Sequence, residues 1–202
     1  MYPITLDLTN KKVLVAGGGE VALRKIKRLL KAGAFVTVVS PEAVNGIESL
    51  YLENKIRWVK NKVVKEDFAD AFLIIAATND NRVNRDIVRH AGENKLVNVA
   101  SSPEDGNFHV PATLQRGSLL LSVSTGGASP SLAMKIRDDL SDIYGENYDQ
   151  YVRFLQECRE CIKSLRISKE EKKEYLNECL EGRFVDCVEE RKKFKEKLMV
   201  TR

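Results

Sequence analysis

The sequence lacks the long apolar run that a membrane-spanning helix needs. No stretch of its 202 residues approaches the roughly 18 to 20 consecutive apolar residues of a membrane span. Its first residues, Met1–Asp7, show no basic region followed by an apolar stretch, so we expect no secretory signal peptide. The sequence therefore favours a cytoplasmic protein without a membrane attachment.

The sequence also has little excess of charge of either sign. The 33 Lys and Arg residues stand against 29 Asp and Glu residues, which gives a net charge of +4. A nucleic-acid partner usually requires a clustered basic stripe, and we therefore predict none. Aromatic residues make up only 7%, and the remaining apolar content is mostly Val, Leu, Ile and Ala, which is typical of strands and helices packed in layers.

Cysteine is absent from the first three quarters of the chain. The four cysteines are Cys158, Cys161, Cys179 and Cys187. The spacing of the first two matches zinc and redox motifs. However, apolar residues recur there at three- and four-residue steps, namely Tyr151, Leu155, Cys158, Ile162 and Leu165. This pattern favours buried or idle thiols on a helix, with a metal or redox site as the alternative. We predict no metal site.

The first half of the chain alternates strand and helix patterns. The apolar run Lys11–Ala16 ends in three glycines and is followed by a predicted helix, Glu20–Gly33, and a second strand, Phe35–Val39. Such a β-α-β unit makes a parallel pair. Further strands are predicted at Arg57–Val59, Ala71–Ala77 and Leu96–Ala100, with helical segments near Val44–Asn54, Lys65–Ala69 and Thr78–His90. The predicted fold is α/β, a Rossmann-type doubly wound parallel sheet.

The pattern changes after Pro103. Two strands, Asn107–Ala112 and Leu119–Ser124, predict an antiparallel addition to the sheet through a turn at Gln115–Gly117. Ser129 and Pro130 then have the chemistry of an N-cap and a first helical residue. From Asn147 onward the sequence is helical and charged, with breaks near Arg166–Ser168 and Gly182. We therefore divide the chain into residues 1–112, residues 113–145 and a C-terminal helical domain, residues 146–202.

A glycine motif between the first strand and helix predicts a dinucleotide site. Gly17 to Ala22 has the form Gly-x-Gly-x-x-Ala, in which Gly17 allows a tight turn, Gly19 lets the backbone approach a pyrophosphate, and Ala22 permits close packing. The phosphates would lie at the positive end of the helix. A glycine-rich turn without a ligand is the alternative. The predicted cofactor-binding residues are Gly17, Gly18, Gly19, Glu20 and Val21.

The acid that usually ends the second strand of such a fold is absent. The strand is followed by Ser40, Pro41 and Glu42, of which Ser40 or Glu42 is predicted to bind the ribose instead. No Arg or Lys lies in that turn to receive a 2′-phosphate, which favours NAD over NADP. Thr78 and Asn79 follow the most apolar strand, where ligands bind in open parallel sheets. They are also suited to cap a helix, and both interpretations can hold.

Several segments together resemble a known family. They are Tyr2–Ile4, Val15–Lys25, Ala76–Asp80, Val97–Val99 and Ser124–Pro130. On these segments the chain resembles the precorrin-2 dehydrogenase family of siroheme biosynthesis, whose bifunctional members are also sirohydrochlorin ferrochelatases. The Gly-Gly-x-Ser-Pro motif after a Val-Ser strand end is the most specific part, because generic dinucleotide folds do not carry it. Beyond the Ser-Pro helix the resemblance is limited to helical, charged sequence.

The resemblance implies a fold and a reaction. It implies a homodimer with an NAD-binding Rossmann domain at residues 1–112, a dimerisation region at residues 113–145, and the C-terminal helices over the active-site cleft. The reaction would be the oxidation of precorrin-2 to sirohydrochlorin, with a hydride passing to NAD and a proton lost from the macrocycle. The modest basic excess suits a tetrapyrrole with many carboxylates. A regulatory NAD-sensing module is the alternative of another class.

The acid that the family places after its Asn-Val strand is missing here. That position is Ser101, and the nearest acids are Glu104 and Asp105 in a Pro-Glu-Asp-Gly turn. We predict Asp105 as the general base, with a simple turn residue as the alternative. Because metal insertion needs a group to accept the pyrrole protons, we expect a dehydrogenase without efficient ferrochelatase activity. The bifunctional dehydrogenase and ferrochelatase is the alternative.

Three further residues are candidates for the substrate side of the site. Ser124 corresponds to the serine of the family's Val-Ser-x-Gly-Gly loop and is predicted to lie near the substrate, or else to be a helix-entry hydroxyl. His109 follows the Asp105 turn and is predicted to contact the substrate or a metal, with a structural role as the alternative. Asn98 is predicted to fix the loop beside it.

Overall fold

The computed structural model describes residues 1–200, and the chain folds as two compact units. The first unit spans Met1–Val110, and the second begins at Pro111. Strands and helices alternate in the first unit, whereas the second is a hairpin followed by helices. Within residues 1–200, no helix combines the length and the apolar character that crossing a membrane requires.

The first unit is built on a five-stranded parallel sheet, as the sequence predicts. The strand order is β3-β2-β1-β4-β5, and every neighbouring pair is parallel. The two β-α-β halves meet at β1, whose last residue, Ala16, is level with Val39 of β2 and Ala76 of β4. The Rossmann-type sheet is therefore confirmed. The strands are β1 (Lys12–Ala16), β2 (Phe35–Val39), β3 (Arg57–Val59), β4 (Leu73–Ala76) and β5 (Leu96–Val99).

Helices cover both faces of this sheet. Residues of α1 (Glu20–Lys31) and α2 (Asn45–Leu52) pack in a core with Val13 and Val15 of β1, on one face. Residues of α3 (Asn81–Ala91) pack with Leu14 on the other face. Because alternate residues of β1 are buried on opposite faces, the strand is apolar from Val13 to Ala16. This double burial explains why the predicted strand bounds lie so close to the observed ones.

The predicted antiparallel addition to this sheet is wrong. The hairpin exists, but it forms a separate two-stranded sheet from β6 (Ala112–Arg116) and β7 (Leu119–Val123). The tight turn lies at Gly117, which has a φ of +56°. The first strand thus starts where the predicted one ends, because residues 107–111 contain no strand.

The side chain of Asn107 accounts for this difference. Its Oδ1 accepts a hydrogen bond from the backbone N of Val97 at 2.8 Å, and its Nδ2 donates to the carbonyl of Lys95 at 2.7 Å. The backbone N of Asn107 also donates to the carbonyl of Val97 at 2.9 Å. The segment is therefore fastened to the edge of β5 through one side chain, a device that strand periodicity does not reveal.

The second unit continues with helices whose ends match their sequence signals. They are α4 (Pro130–Ile143), α5 (Asn147–Ser164), α6 (Lys169–Glu178), α7 (Arg183–Asp186) and α8 (Val188–Val200). The Oγ of Ser129 accepts a hydrogen bond from the backbone N of Leu132 at 3.2 Å, which confirms Ser129 as the N-cap of α4. The breaks predicted at residues 166–168 and at Gly182 separate α5 from α6 and α6 from α7.

An aromatic core closes the helical part of the second unit. The ring centroids of Phe184 lie 5.2 Å from those of both Phe154 and Phe194. Cys158 and Cys179 are buried in the same core, and all four cysteines are free thiols. The hydrogen bond of the Cys158 thiol to Cys179, together with burial, raises the pKa of Cys158. Cys158 therefore lies on the buried apolar stripe that the helical spacing predicts.

Candidate functional site

The glycine loop between β1 and α1 is shaped by two close backbone approaches. Gly17 has a φ of +124°, its N donates to the carbonyl of Val39 at 3.0 Å, and a Cβ there would collide with the carbonyl O of Ala77. A Cβ on Gly18 would collide with the carbonyl O of Glu42. Both positions therefore require glycine. The loop is packed between the residues that follow β2 and those that follow β4.

Gly19 differs from its two neighbours because the space in front of it is open. A Cβ built on Gly19 meets no atom within 4 Å, and the residue has extended backbone at the N-cap of α1. The first N–H groups of a helix have no partner inside the helix and favour an anion. Ala22 is fully buried, which lets α1 approach the sheet closely. The residues present thus fit a pyrophosphate at this end of α1, beside the exposed side chains of Glu20 and Val21.

The turn after β2 borders this loop, but its serine is already engaged. Ser40 is only 4% exposed, and both its Oγ and its carbonyl O accept from the indole Nε1 of Trp58, each at 3.1 Å. Pro41 and Glu42 are exposed. The Ser40 hydroxyl therefore holds β2 to β3, and Glu42 supplies the exposed carboxylate of the turn.

Sequence reasoning missed Lys60, which lies beside this turn. The register of β2 and β3 pairs Val39 with Val59, so Lys60 follows β3 next to Ser40. The Lys60 ammonium lies 4.3 Å from the centroid of the Trp58 ring. A cation thus borders the turn from the neighbouring strand, although the turn itself has none. The sequence does hold a signal for Lys60. Lys60 directly follows one predicted strand just as Ser40 directly follows another, and the ends of neighbouring parallel strands meet at one edge of the sheet.

Thr78 is fixed by α3. Its Oγ1 donates to Oδ1 of the buried Asn84 at 2.7 Å, and the Asn84 amide donates back to the Thr78 carbonyl at 3.1 Å. The cap of α3 is Asp80, whose carboxylate accepts from the backbone N of Arg82 at 2.7 Å. Asn79 between them is exposed at the carboxyl edge of the sheet. The structure thus brings Thr78 and Asn79 to the same edge as the glycine loop.

Asn98 joins β5 to the segment that carries His109. Asn98 is 4% exposed, its Nδ2 donates to the carbonyl of Phe108 at 3.1 Å, and its Oδ1 accepts from the ammonium of Lys25 at 3.2 Å. His109 follows directly and is half-buried. Within residues 1–200, no group of three or more His, Cys, Asp or Glu side chains is placed to hold a metal ion.

The structure does not bring Asp105 to the glycine loop. Asp105 is exposed in a 3₁₀ turn, Pro103–Asp105, and lines a cavity of about 260 Å³ with the C-terminal turn of α3. Thr78 lies at the opposite, N-terminal end of that helix. Ser101 lies at that same N-terminal end, because its Oγ donates to Oδ1 of Asn81 at 3.0 Å and accepts from Asn84.

Ser124 belongs to the second unit, between β7 and α4. Its exposed Oγ accepts from the backbone N of Gly126 at 3.2 Å. Gly126 and Gly127 have φ values of +64° and +93°, and the Thr125 hydroxyl bonds both the N and the carbonyl O of Ser129. The loop therefore has a defined backbone, and the Ser124 hydroxyl is exposed on it.

Both units of the chain match known protein families. Residues 4–112 match the family model "Putative NAD(P)-binding", and residues 148–194 match "SirC C-terminal domain". The chain is 44% identical over 184 residues to a precorrin-2 dehydrogenase of Priestia megaterium, covering 91% of each chain. It is 38% identical to a precorrin-2 dehydrogenase of Bacillus subtilis (strain 168), covering 79% of this chain and 98% of the relative.

A solved structure matches nearly the full length of the chain. The protein described as "SirC, precorrin-2 dehydrogenase" superimposes with a TM-score of 0.86 and 40% sequence identity. The match covers 99% of this chain and 100% of that chain. Since sequence identity, coverage and fold agree, the chain belongs to the precorrin-2 dehydrogenase family.

Proposed function

We propose that this chain oxidises precorrin-2 to sirohydrochlorin with NAD as the hydride acceptor. The open space at Gly19, in front of the N-terminus of α1, carries the proposal, because a pyrophosphate requires such space at this point of the fold. Two relatives that the chain matches over most of their length are precorrin-2 dehydrogenases. A bound nicotinamide would accept the hydride, and the protein would have to hold the macrocycle against it and accept a proton.

The cofactor side of the proposed site is formed by the first unit. The backbone of Gly17, Gly18 and Gly19 would hold the pyrophosphate, next to the first turn of α1 with Glu20 and Val21. The turn of Ser40, Pro41 and Glu42 would border the adenosine, with Ser40 acting through the backbone because Trp58 occupies its hydroxyl. Thr78 and Asn79 would border the cofactor from the end of β4.

The substrate side of the proposed site has four candidate residues. Ser124 is exposed on a loop of fixed backbone and would donate a hydrogen bond to a substrate carboxylate. His109 would contact the macrocycle, and Asn98 would hold His109 in place through Phe108. Asp105 is our proposed proton acceptor, because its exposed carboxylate lies in the turn directly before the segment that carries His109.

We further propose that ferrochelatase activity is weak. Ser101 occupies the position of the family's acid, and its hydroxyl is bound to Asn81 and Asn84. A hydroxyl in that position is a poor acceptor for pyrrole protons. Sirohydrochlorin with ferrous ion should therefore gain metal no faster with the enzyme than without it, as followed by absorbance. Insertion clearly above the spontaneous rate would support the bifunctional alternative.

Residues 113–145 are proposed to form the dimer interface. The fourteen-residue helix α4 buries only Ala133. Large apolar side chains on it are exposed, namely Leu132, Met134, Ile136 and Ile143. The hairpin beside α4 has only two strands, which is marginal on its own. A second copy of the chain would cover this face.

The decisive experiment follows NADH formation when the purified protein meets precorrin-2 and NAD. An absorbance rise is expected, and its absence with authentic substrate would refute the proposed reaction. Gly19→Asp should fold normally, since the space is open, and should lose NAD affinity through charge repulsion with the pyrophosphate. The only tryptophan of the chain, Trp58, borders the site and provides a fluorescence signal for binding. Gly182→Asp, also in open space but in the second unit, is the control.

A further inference from the structure

Lys25 on α1 has an unusual environment for a lysine. Its side chain is half-buried, and its ammonium donates to Oδ1 of Asn98 at 3.2 Å. No carboxylate within residues 1–200 forms an ion pair with it, while burial lowers the pKa of Lys25 and the neighbouring Arg28 and Arg24 lower it further. A half-buried cation without a counter-charge is costly. Such a residue requires an explanation other than stability.

Asn98, which accepts the hydrogen bond from Lys25, provides an explanation for this environment. Asn98 is buried, and both ends of its amide are engaged, Oδ1 with Lys25 and Nδ2 with the carbonyl of Phe108 at 3.1 Å. An ammonium can only donate hydrogen bonds. It therefore forces the amide oxygen toward α1 and the amide NH₂ toward Phe108. Lys25 thus fixes the orientation of the Asn98 side chain.

The segment that Asn98 holds is fastened along β5 and leads to His109. A Cβ on Gly106 would come within 2.6 Å of the Val97 carbonyl O, so this chain segment lies directly on the strand. Asn107 adds its hydrogen bonds to Val97 and Lys95. Beyond Asn107, the Asn98 amide is the next side chain that bonds the segment's backbone. The position of His109 therefore depends on Asn98.

We propose that Lys25 is a positioning residue for the tetrapyrrole, which it serves by orienting Asn98 and so holding the Phe108 and His109 backbone. The inference deepens the proposed oxidation of precorrin-2 and rests on it. It connects two of the segments that carry the family resemblance, Val15–Lys25 and Val97–Val99. It differs from cofactor binding, because the glycine loop needs no contact with Lys25.

The test compares four variants of the full-length protein. Lys25→Met removes the donor and keeps the aliphatic stem, Lys25→Arg keeps a donor, and Asn98→Asp keeps a partner for Lys25 but cannot donate to Phe108. Lys27→Met, on the exposed side of α1, is the matched control. The measurements are NAD affinity from Trp58 fluorescence, sirohydrochlorin affinity from absorbance, kcat and KM for precorrin-2, and hydrogen exchange of residues 107–110.

Lys25→Met and Asn98→Asp are expected to lower kcat/KM for precorrin-2 by about tenfold or more, because small displacements at a reacting centre are costly. They should weaken sirohydrochlorin binding and speed hydrogen exchange at residues 107–110, while NAD affinity stays within about twofold of the wild type. Lys25→Arg should recover most of the loss, and Lys27→Met should show none.

Two results would overturn the inference. One is Lys25→Met matching Lys27→Met in sirohydrochlorin affinity and in exchange of residues 107–110. The other is a parallel loss of NAD affinity, tetrapyrrole affinity and melting temperature, which would make Lys25 structural. A wild-type protein that forms no NADH would instead refute the proposed oxidation, and the binding and exchange measurements would still decide the role of Lys25.

Discussion

The two units of the chain differ in how completely each buries its apolar surface. In the first unit, helices cover both faces of the sheet, and β4 is buried along its whole length. In the second unit, only α5 to α8 close around a core, while α4 leaves all but one of its fourteen residues partly or fully exposed. The first unit therefore has a sheet covered on both faces, whereas the second has a helix, α4, with exposed apolar side chains.

The largest expected effect tests how tightly the glycine loop of the first unit is packed. Gly17→Ala places a Cβ against the Ala77 carbonyl at a φ of +124°, and we expect it to lower the free energy of unfolding by about 3 kcal/mol or more. Urea denaturation followed by Trp58 fluorescence would measure the loss. Gly182→Ala, in open space with a φ of −57°, should leave stability unchanged. Equal effects of the two would show that the glycine loop is not sterically fixed.

An effect of comparable size concerns the closed part of the second unit. Phe154→Ala leaves a cavity between Phe184 and Phe194 and should cost about 3 to 5 kcal/mol of stability. Circular dichroism during denaturation would report the loss of helix. If the units are independent, NAD affinity at low denaturant stays unchanged. Val188→Ala, on an exposed side chain of the same unit, is the control, and a joint loss of NAD affinity would contradict independent folding.

The open face of the second unit gives the third prediction. Met134→Glu places a charge on the exposed apolar side of α4 and should weaken dimerisation by about 2 kcal/mol or more, since charge is disfavoured at the centre of an interface. Light scattering at several protein concentrations would measure the shift. Met199→Glu, at an exposed position of α8, should leave the dimer intact. A wild-type protein that is monomeric at all concentrations would refute the proposed interface.

The smallest expected effect comes from removing a helix cap in the first unit. Asp80→Ala removes the acceptor for the backbone N of Arg82 and should cost about 1 kcal/mol. Thermal unfolding would measure it. Asp86→Ala on the same helix loses only a long, exposed contact with Arg89 and should cost less than about 0.5 kcal/mol. A smaller loss for the cap than for the control would show that α3 is held by packing alone.

The sequence predicts the first unit well where its local signals agree with burial. The bounds of β1, α1 and β2 follow from apolar runs that glycine or proline turns interrupt, and both faces of these strands are buried. The misplaced strand after Gly106 shows the limit. There the backbone is fastened by the Asn107 side chain, and hydrogen bonds from one side chain leave no periodic pattern.

The candidate site is predictable where the ends of central strands determine the position of its residues. The glycine loop and Thr78 lie at the carboxyl edge of the sheet because strand ends determine their position. Lys60 escaped prediction because strand register, not sequence distance, brings it beside Ser40. The sequence also does not predict that Asp105 lies away from the glycine loop, because the position of Asp105 depends on how the chain turns back along β5.

The hydrogen bonds of Asn107 along β5 have a further consequence for assembly. The outer edge of β5 would otherwise offer unpaired backbone groups to the sheet of another molecule. Asn107 occupies the N of Val97 and the carbonyls of Val97 and Lys95, while the opposite edge strand, β3, is only three residues long. Both edges of the sheet are thus protected against the pairing with strands of other molecules that leads to aggregation, and the proposed dimer interface lies in the second unit instead.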